Sequence, residues 1–293
     1  MNSGLLSAAL AYLIWGLFPL YFKVLQFLPA GEIVLHRIVW ALLFLLGILT
    51  WRGQWQWLAQ LKNRRLVAGF ALSAVLLSIN WFVYIWAANS GRVVDASLGY
   101  FINPLINVLL GVLVLHERLR TMQWVCIAIA GAGVAWLTVS SGQLPWVALT
   151  VATTFGIYGL LRKTAHLGAL EGLTLETALL FPLAVAGLVY LSLNGENGFS
   201  HTSTGMQITI MLSGPITAIP LLLFAAAARK ITMVQLGLMQ YLGPSVQLIL
   251  AIWLWHEPFG IDRRIGFGLI WLALILFSAE GYLKHRATYK LAK

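Results

Sequence analysis

Charged residues are scarce in this 293-residue sequence. Asp, Glu, Lys and Arg together make up 10% of the chain, whereas apolar residues make up 60%. Soluble domains carry roughly 25% charged residues, so this composition excludes a water-soluble globular protein and indicates a membrane protein. The 19 Lys and Arg residues outnumber the 9 acidic ones. In a nucleic-acid-binding protein they would cluster on a soluble face. Here they lie in short runs between apolar segments, so nucleic acid is not an expected partner.

Cysteine, catalytic motifs and a cleavable leader are also missing. Cys126 is the only cysteine in the sequence, so no disulfide can form within the chain, and we expect a buried, unreactive thiol. Neither His-Glu pair, at 116–117 or 256–257, has the second histidine of an H-E-x-x-H zinc site, and no Gly-rich phosphate loop follows a strand. We therefore expect no enzyme activity, no metal and no cofactor. The N-terminus lacks a basic segment and a small-residue cleavage site, so we expect its first apolar segment to remain as a membrane span.

Ten apolar segments approach the roughly 20 residues that a helix needs to cross a bilayer. They lie at 4–22, 33–50, 66–88, 96–115, 121–140, 145–161, 173–193, 207–228, 234–255 and 265–282. The pattern predicts an all-α membrane protein with ten transmembrane helices.

The sequence also resembles itself at a shift of 140 residues, the difference between Pro104 and Pro244. Without a gap, this shift aligns identical residues: Gly16 with Gly156, Leu20 with Leu160, Lys23 with Lys163, Leu35 with Leu175, Pro104 with Pro244, and the two His-Glu pairs with each other. Such a register predicts two five-helix repeats, 1–140 and 141–293. Because five is odd, the second repeat must cross the membrane in the opposite direction, and inverted repeats of this kind are typical of secondary transporters.

Lys and Arg residues predict which side of the membrane each loop faces, because cytoplasmic loops are enriched in them. Fourteen of the 19 follow the even-numbered segments or lie in the C-terminal tail, and five are on the opposite side: Lys23, Arg37, Arg92, Arg263 and Arg264. We therefore expect both termini in the cytoplasm. The His-Glu pair at 116–117 is then cytoplasmic, and the pair at 256–257 is at the outer face.

Several of these features resemble the EamA-type drug/metabolite transporters. They are YLIWGLFPLYFK in the first segment, Arg37 near the start of the second, the fourth segment with Pro104 ending in HER, and GAGVAWL in the fifth. The resemblance covers nearly the whole chain. It implies a ten-span inner-membrane permease in which spans one, three, four, six, eight and nine surround a central cavity. The second half departs from the pattern, because the shift pairs Arg37 with Thr177.

A transporter needs polar side chains that face inward from apolar helices. Tyr100, Asn103 and Asn107 are three and four residues apart, hence on one face of a helix, and the shift pairs the first and last of them with Gln240 and Gln247. We expect the following side chains to line the substrate site: Trp15, Asn80, Trp81, Tyr84, Tyr100, Asn103, Asn107, Gln240 and Gln247. The alternative is that the amides and phenols form hydrogen bonds between helices.

Ionisable residues and prolines within the apolar segments predict gating or coupling sites. Arg37 would contact substrate or gate, Glu32 and His36 would relay protons, and Glu176 would form a second proton site, since a charge inside a membrane span is a functional hypothesis by default. The alternative is that these side chains extend to the membrane surface. The prolines Pro104 and Pro244 each remove a backbone donor, which predicts either a bend that gates or a static kink.

The sequence thus favours a secondary transporter that moves a small organic metabolite or drug across the inner membrane by alternating access, with export as the expected direction. Membrane lipid surrounds it, and a homodimer and proton coupling stay open, as do the substrate and the coupling ion. Small residues in the fifth segment, Gly131, Ala132 and Gly133, predict close helix packing, and a dimer seam formed with the tenth segment stays open. The alternatives are a lipid-handling membrane enzyme or flippase, and a membrane sensor that transports nothing.

Overall fold

The computed structural model describes residues 3–89, 93–140, 146–254 and 260–291, and their side chains except at 85, 88–89, 93–98, 251 and 281–291. These residues form twelve α-helices and one 3₁₀ helix, with no strand among them. The helices are α1 Ser3–Val24, α2 Ala30–Arg52, α3 Arg64–Asn89, α4 Val93–Leu113, α5 Thr121–Ser140, α6 Trp146–Thr164, α7 Ala169–Leu193, α8 Thr204–Met211, α9 Ser213–Ala228, α10 Met233–Gln240, α11 Leu242–Trp253 and α12 Ile261–Leu291, and the 3₁₀ helix is Gln56–Lys62.

Six stretches of the described residues are long and apolar enough to cross a membrane. They are Ser3–Val24, Ala30–Arg52, Arg64–Tyr84, Thr121–Ser140, Ala169–Leu193 and Thr204–Ala228, and Gly99–Leu113 is a shorter apolar helix. A helix satisfies its backbone hydrogen bonds internally, which hydrocarbon requires. The predicted all-α membrane class is confirmed. Helices lie in all ten apolar segments, and the crossing of the membrane by all ten stays a prediction.

Two prolines explain why the eighth and ninth apolar segments each contain two helices. Pro215 has no N–H to donate to the carbonyl of Met211, where α8 ends, and Pro244 likewise cannot donate to the carbonyl of Gln240, where α10 ends. Pro104 instead lies inside the continuous helix α4. The interruption near Pro244 therefore precedes the proline, which lies in the first turn of α11 rather than in mid-helix.

The packing of helices mixes the two halves of the chain. Helix α4 packs against α6 and α10, α1 against α9 and α11, and α3 against α6, while α2 packs against α7 and α5 against α12. One buried core includes residues of α1, α3, α6, α7 and α9. A second includes residues of α4, α5, α6, α10, α11 and α12.

Two glycines allow helices from opposite halves to approach closely. A Cβ added at Gly156 of α6 would lie 2.7 Å from Ile106 Cγ2 of α4, and a Cβ added at Gly16 of α1 would lie 2.6 Å from Val246 Cβ of α11. Both distances are shorter than van der Waals contact, so a side chain at either position would separate the helices. The two contacts are related by the 140-residue shift at both partners.

One of the small residues of α5, Gly133, packs closely on α12, in the tenth apolar segment. A Cβ at Gly133 would lie 2.8 Å from the carbonyl oxygen of Gly266 in α12, whereas no atom lies within 4 Å of a Cβ at Gly131. Close packing at Gly133 is thus between α5 and α12 of one chain. A homodimer stays a prediction.

Candidate functional site

A ladder of buried amides connects the two halves through α4. The Asn103 amide donates to the carbonyl of Ala152 in α6 over 2.5 Å. The Asn107 amide donates to Asn103 Oδ1 over 3.1 Å and to Gln240 Oε1 of α10 over 2.9 Å. All three amides are buried, and Asn107 Oδ1 has no hydrogen-bond partner among the described residues. The predicted polar face of the fourth segment therefore points at helices of the second half.

Asn80 and Gln247 also bind neighbouring helices. The Asn80 amide donates to the carbonyl of Val151 over 2.8 Å and to Thr154 Oγ1 over 3.2 Å, both on α6. The Gln247 amide donates to the carbonyl of Trp15 over 3.3 Å. These contacts are the interhelical hydrogen bonds that the sequence offered as the alternative, and contact with substrate stays a prediction for both residues.

Aromatic rings from three helices meet between the halves. The rings of Trp15 on α1 and Phe155 on α6 lie 5.6 Å apart, centroid to centroid, and both contact Phe224 of α9 at 5.7 and 5.1 Å. Tyr12 and Tyr158, both fully buried, flank the same group at 6.3 and 6.1 Å from Phe224. The sequence predicts Trp15 in this region and misses the others. The 140-residue shift carries the signal, because it pairs Trp15 with Phe155.

The Arg37 side chain extends from α2 into an aromatic box, formed by the rings of Trp81, Phe22 and Phe18. Its Cζ lies 4.6 Å from the ring centroid of Trp81, 5.3 Å from that of Phe22 and 6.0 Å from that of Phe18, distances typical of cation–π contacts. Its Nε donates to Thr217 Oγ1 of α9 over 2.8 Å. The side chain is 8% exposed. Arg37 is therefore inside the helix bundle.

Two of the predicted tyrosines lie next to this box. The rings of Tyr84 on α3 and Tyr100 on α4 are 5.6 Å apart, and both phenols lie within electrostatic reach of the Arg37 guanidinium. Both side chains are half-buried, and neither hydroxyl has a hydrogen-bond partner among the described residues. The structure thus brings Arg37, Trp81, Tyr84 and Tyr100 together.

Glu32 and His36 form a different group at the start of α2. The Glu32 carboxylate accepts hydrogen bonds from the backbone N–H of Gly198 over 3.2 Å and of Phe199 over 3.0 Å, in the connection between α7 and α8. His36 Nε2 lies 3.7 Å from Glu32 Oε1, which is too long for a hydrogen bond, and Trp40 Nε1 donates to His36 Nδ1 over 3.3 Å. Both side chains are buried. Proton relay by this pair stays a prediction.

Glu176 lies in a buried network at the opposite end of the bundle. Its carboxylate accepts hydrogen bonds from Ser73 Oγ on α3 and from the Tyr158 hydroxyl on α6. Arg162 Nη1 on α6 lies 3.5 Å from Glu176 Oε1, and the two side chains are 1% and 0% exposed. The sixth apolar segment of the sequence ends at residue 161, so Arg162 counts among the basic residues that follow it. The helix continues to Thr164, and Arg162 is therefore part of α6.

A cleft opens beside this network, between the ends of α3 and α6. Its basic lining comes from Arg65, Arg162 and His166, and its apolar lining includes Phe70. Ser73, which donates to Glu176, also lines it. The network therefore borders open space at one end of the bundle.

The first His-Glu pair lies at the start of α10. Glu117 accepts hydrogen bonds from the N–H groups of Met233 over 2.8 Å and Val234 over 3.1 Å, where the positive end of a helix favours a carboxylate. Lys163 Nζ lies 4.0 Å from Glu117 Oε1 and donates to the carbonyl of Ala228 over 3.1 Å. This contact joins the α4–α5 connection to α6 and to the α9–α10 turn. The sequence singles out the His-Glu pair but does not predict this role, and the second pair, His256-Glu257, lies outside the described residues.

No group of three or more His, Cys, Asp or Glu side chains that could hold a metal occurs in the part of the chain that the structure describes. The polar and aromatic clusters above offer amide groups, a guanidinium and aromatic rings.

Several known proteins similar to this chain are named as transporters. The model of the EamA-like transporter family matches residues 2–139. The Uncharacterized transporter PA0485 of Pseudomonas aeruginosa is 45% identical over 96% of this chain and 95% of its own length, and the Uncharacterized transporter YojE of Bacillus subtilis is 42% identical over 94% of both. Protein RarD of Escherichia coli K12 is 37% identical over 99% of this chain and 98% of its own length.

One crystal structure of a protein with 16% identity superposes with a TM-score of 0.69, over 94% of this chain and 97% of its own. The fold of that protein is therefore shared by both halves of this chain.

The predicted resemblance is confirmed by these relatives, which cover nearly the whole chain at well over 30% identity. The six long apolar helices and the bacterial relatives agree with a multi-pass protein of the bacterial inner membrane. This chain belongs to the EamA-type transporter family and is similar to RarD over almost its full length.

Proposed function

We propose that this membrane protein is a secondary transporter that exports a small organic metabolite or drug from the cytoplasm by alternating access. The observation that carries the proposal is the pair of close contacts at Gly16 with Val246 and Gly156 with Ile106, whose members are related by the 140-residue shift. Two similar halves that pack through equivalent surfaces can exchange conformations and open a central site to either side.

Other contacts support halves 1–140 and 141–293 as inverted repeats of five helices each. The shift relates the α3–α6 contact to that between α9 and α1, and the α4–α6 contact to that between α11 and α1. The contacts of α2 with α7 and of α5 with α12 each relate to themselves, as contacts across a pseudo-twofold axis must. Such an axis lies in the membrane plane when the repeats are inverted.

The substrate site of this transporter lies between the halves. Support comes from the amide ladder of Asn103, Asn107 and Gln240 and from the contact of Trp15 with Phe155, since each joins a helix of one half to a helix of the other. Amides in hydrocarbon are costly without partners. The unpartnered Asn107 Oδ1 is therefore the atom of this ladder best suited to bind a solute.

The contact of Glu117 with Lys163 and α10 acts as a gate on the cytoplasmic side. It ties loops of both halves together at that end of the bundle. The shift pairs Lys163 with Lys23 and Glu117 with Glu257, so the sequence offers the same two charges for a gate at the outer face. Glu257 lies outside the described residues, and the outer gate is a proposal from sequence.

The topology is tested by cysteine labelling at Gln56 and Glu196, which the shift pairs and which are both exposed. In a Cys126→Ala background, we expect a membrane-impermeant maleimide to label Glu196→Cys on intact cells and Gln56→Cys only in inverted vesicles. Labelling of both cysteines from one side would overturn the inverted arrangement.

Transport itself is tested with a labelled-metabolite library and inverted vesicles, in which export appears as uptake. We expect saturable uptake of at least one solute, and its loss in Asn107→Leu. Gln60→Leu is the matched control, because that amide is exposed in the 3₁₀ helix. Size-exclusion chromatography verifies that each variant folds. Uptake that Asn107→Leu leaves unchanged would place the solute elsewhere.

A further inference from the structure

Two arginines are buried in the described part of the chain, and one of them has no acidic partner. Arg162 pairs with Glu176, and Glu32 accepts two backbone N–H groups beside His36. Arg37 is also buried, at 8% exposure, yet Thr217 is its only hydrogen-bond partner among the described residues. A buried cation is unfavourable unless it is paired, so this guanidinium is suited to bind an anion from outside the chain.

The surroundings of the guanidinium determine how an anion can approach. The rings of Trp81 and Phe22 contact its π system, and its Nε is occupied by Thr217. The edge formed by Nη1 and Nη2 is left. Two parallel N–H donors at this edge match the two oxygens of a carboxylate, the bidentate geometry that arginine provides and lysine does not.

Arg37 lies inside α2, away from the end of the helix. At 1.5 Å per residue, the seven residues from Ala30 at the start of α2 place it roughly 10 Å along the helix. The side chain contacts α1, α3 and α9, and tyrosines of α1, α3 and α4 lie within its electrostatic reach. The guanidinium thus points into the bundle rather than along α2 towards the headgroups.

The rings next to Arg37 indicate what the anion carries. Trp81, Tyr84 and Tyr100 are half-buried, and flat apolar surfaces of this kind bind planar groups by stacking or edge contacts. The hydroxyls of Tyr84 and Tyr100 have no hydrogen-bond partner among the described residues and add two donors within electrostatic reach of the cation.

We propose that Arg37 binds the carboxylate of an organic anion and that the planar, apolar body of this anion lies against Trp81, Tyr84 and Tyr100. This proposal deepens the proposed transport function by assigning a substrate class, and it rests on that function for its biological meaning. The binding itself is measurable without transport.

The test measures binding of benzoate to the full-length protein in nanodiscs, by tryptophan fluorescence and by thermal shift. Benzamide has the same shape without the charge, and inorganic phosphate is an anion without the ring. We expect saturable binding of benzoate, at least about 10-fold weaker binding of benzamide, as expected for the loss of a charge-assisted hydrogen bond, and no fluorescence change with phosphate. Equal affinities for benzoate and benzamide, or for benzoate and phosphate, would overturn the proposal.

Three variants separate binding from structure. Arg37→Met and Arg37→Lys should both weaken benzoate binding by at least about 10-fold, the second because it keeps the charge but loses the bidentate edge. Arg52→Met, at the exposed end of α2, should bind like the wild type. Replacing an unpaired buried charge by an apolar group of similar volume relieves its desolvation, so Arg37→Met should unfold at the same temperature as the wild type or higher. A marked loss of stability in Arg37→Met, together with normal binding by Arg37→Lys, would show a structural role instead.

Failure of this proposal and failure of the transport function have different signatures. Benzoate binding that depends on Arg37, without flux of any solute in vesicles, would retain the anion site and overturn the transporter. Saturable flux of solutes that Arg37→Met leaves unchanged would retain the transporter and overturn the anion site.

Discussion

The buried ion pair between Arg162 and Glu176 should dominate the stability of one end of the bundle. Nη1 of the arginine lies 3.5 Å from Oε1 of the glutamate, and the two side chains are 1% and 0% exposed. Arg162 also donates to the carbonyls of Gly168 and Ala169 over 3.3 and 3.1 Å. Since Ser73 donates to the same carboxylate, the network joins α3 of the first half to α6 and α7 of the second.

Removing either member of a buried pair leaves the other charge uncompensated, which destabilises proteins by about 3–5 kcal/mol. Glu176→Gln preserves the side-chain volume and leaves Arg162 its two carbonyl acceptors, so we expect the lower end, about 3 kcal/mol. We expect a similar loss for Arg162→Met. The double variant removes both charges and should lose much less than the two single losses combined, giving a coupling energy of at least about 2 kcal/mol.

The measurement is a double-mutant cycle of unfolding free energies in mixed detergent–SDS micelles, with tryptophan fluorescence as the readout of unfolding. The control is the ion pair of Arg120 with Glu280, whose side chains are 38% and 19% exposed. Partly exposed pairs contribute about 0–1 kcal/mol, so the same cycle there should show little coupling. Strictly additive losses at Arg162 and Glu176 would refute the reasoning.

Of three further predictions, two use the same unfolding assay and the third uses maleimide labelling. Gly156→Ala should destabilise the protein by about 1–3 kcal/mol, because its Cβ would lie 2.7 Å from a side-chain atom of α4. Gly131→Ala, whose Cβ would have no atom within 4 Å, should be neutral or stabilising. A larger loss of stability in Gly131→Ala than in Gly156→Ala would contradict the close approach. Glu117→Gln should destabilise by about 1–2 kcal/mol, because a charged acceptor at the start of α10 is lost, while Glu196→Gln, on an exposed side chain, should change little. Cys126 is 0% exposed, so a maleimide should modify it only after unfolding, and rapid labelling of the folded protein would contradict its burial.

The sequence alone predicts the helices well, because the bilayer imposes one pattern on them. A spanning segment must be apolar over roughly 20 residues, and that requirement is visible without any knowledge of packing. The helix breaks before Pro215 and Pro244 also follow from a local cause, the missing N–H of proline. Local chemistry therefore accounts for the positions of the apolar segments, but it does not decide which prolines interrupt a helix, because Pro104 lies inside the continuous helix α4.

Partners across the bundle were harder to predict, since they depend on which helices meet. Counting Arg162 as a loop residue follows the rule that basic residues mark cytoplasmic loops, yet its acidic partner is on the next helix and the pair is buried. Glu117 is part of a repeated motif, but its hydrogen bonds go to the start of α10, more than a hundred residues away. The signal that would have helped is the 140-residue shift, which pairs Trp15 with Phe155 and predicts that residues at equivalent positions meet near an axis.

The 140-residue shift relates the helix contacts of this chain to one another, whereas it does not relate its buried charged residues. The contacts of Gly16 and Gly156 are equivalent at both partners, and equivalent surfaces are what two interconverting states of similar energy require. The shift pairs Arg37 with Thr177 and Glu176 with His36, so each half contributes a different charge. The helix contacts are therefore symmetric, but the buried charges are not. At one end of the bundle Glu176 neutralises a buried cation, and at the other end the Arg37 cation has no acidic partner among the described residues. An anionic solute would gain most at the second end, and its binding there would favour the state in which that end is enclosed.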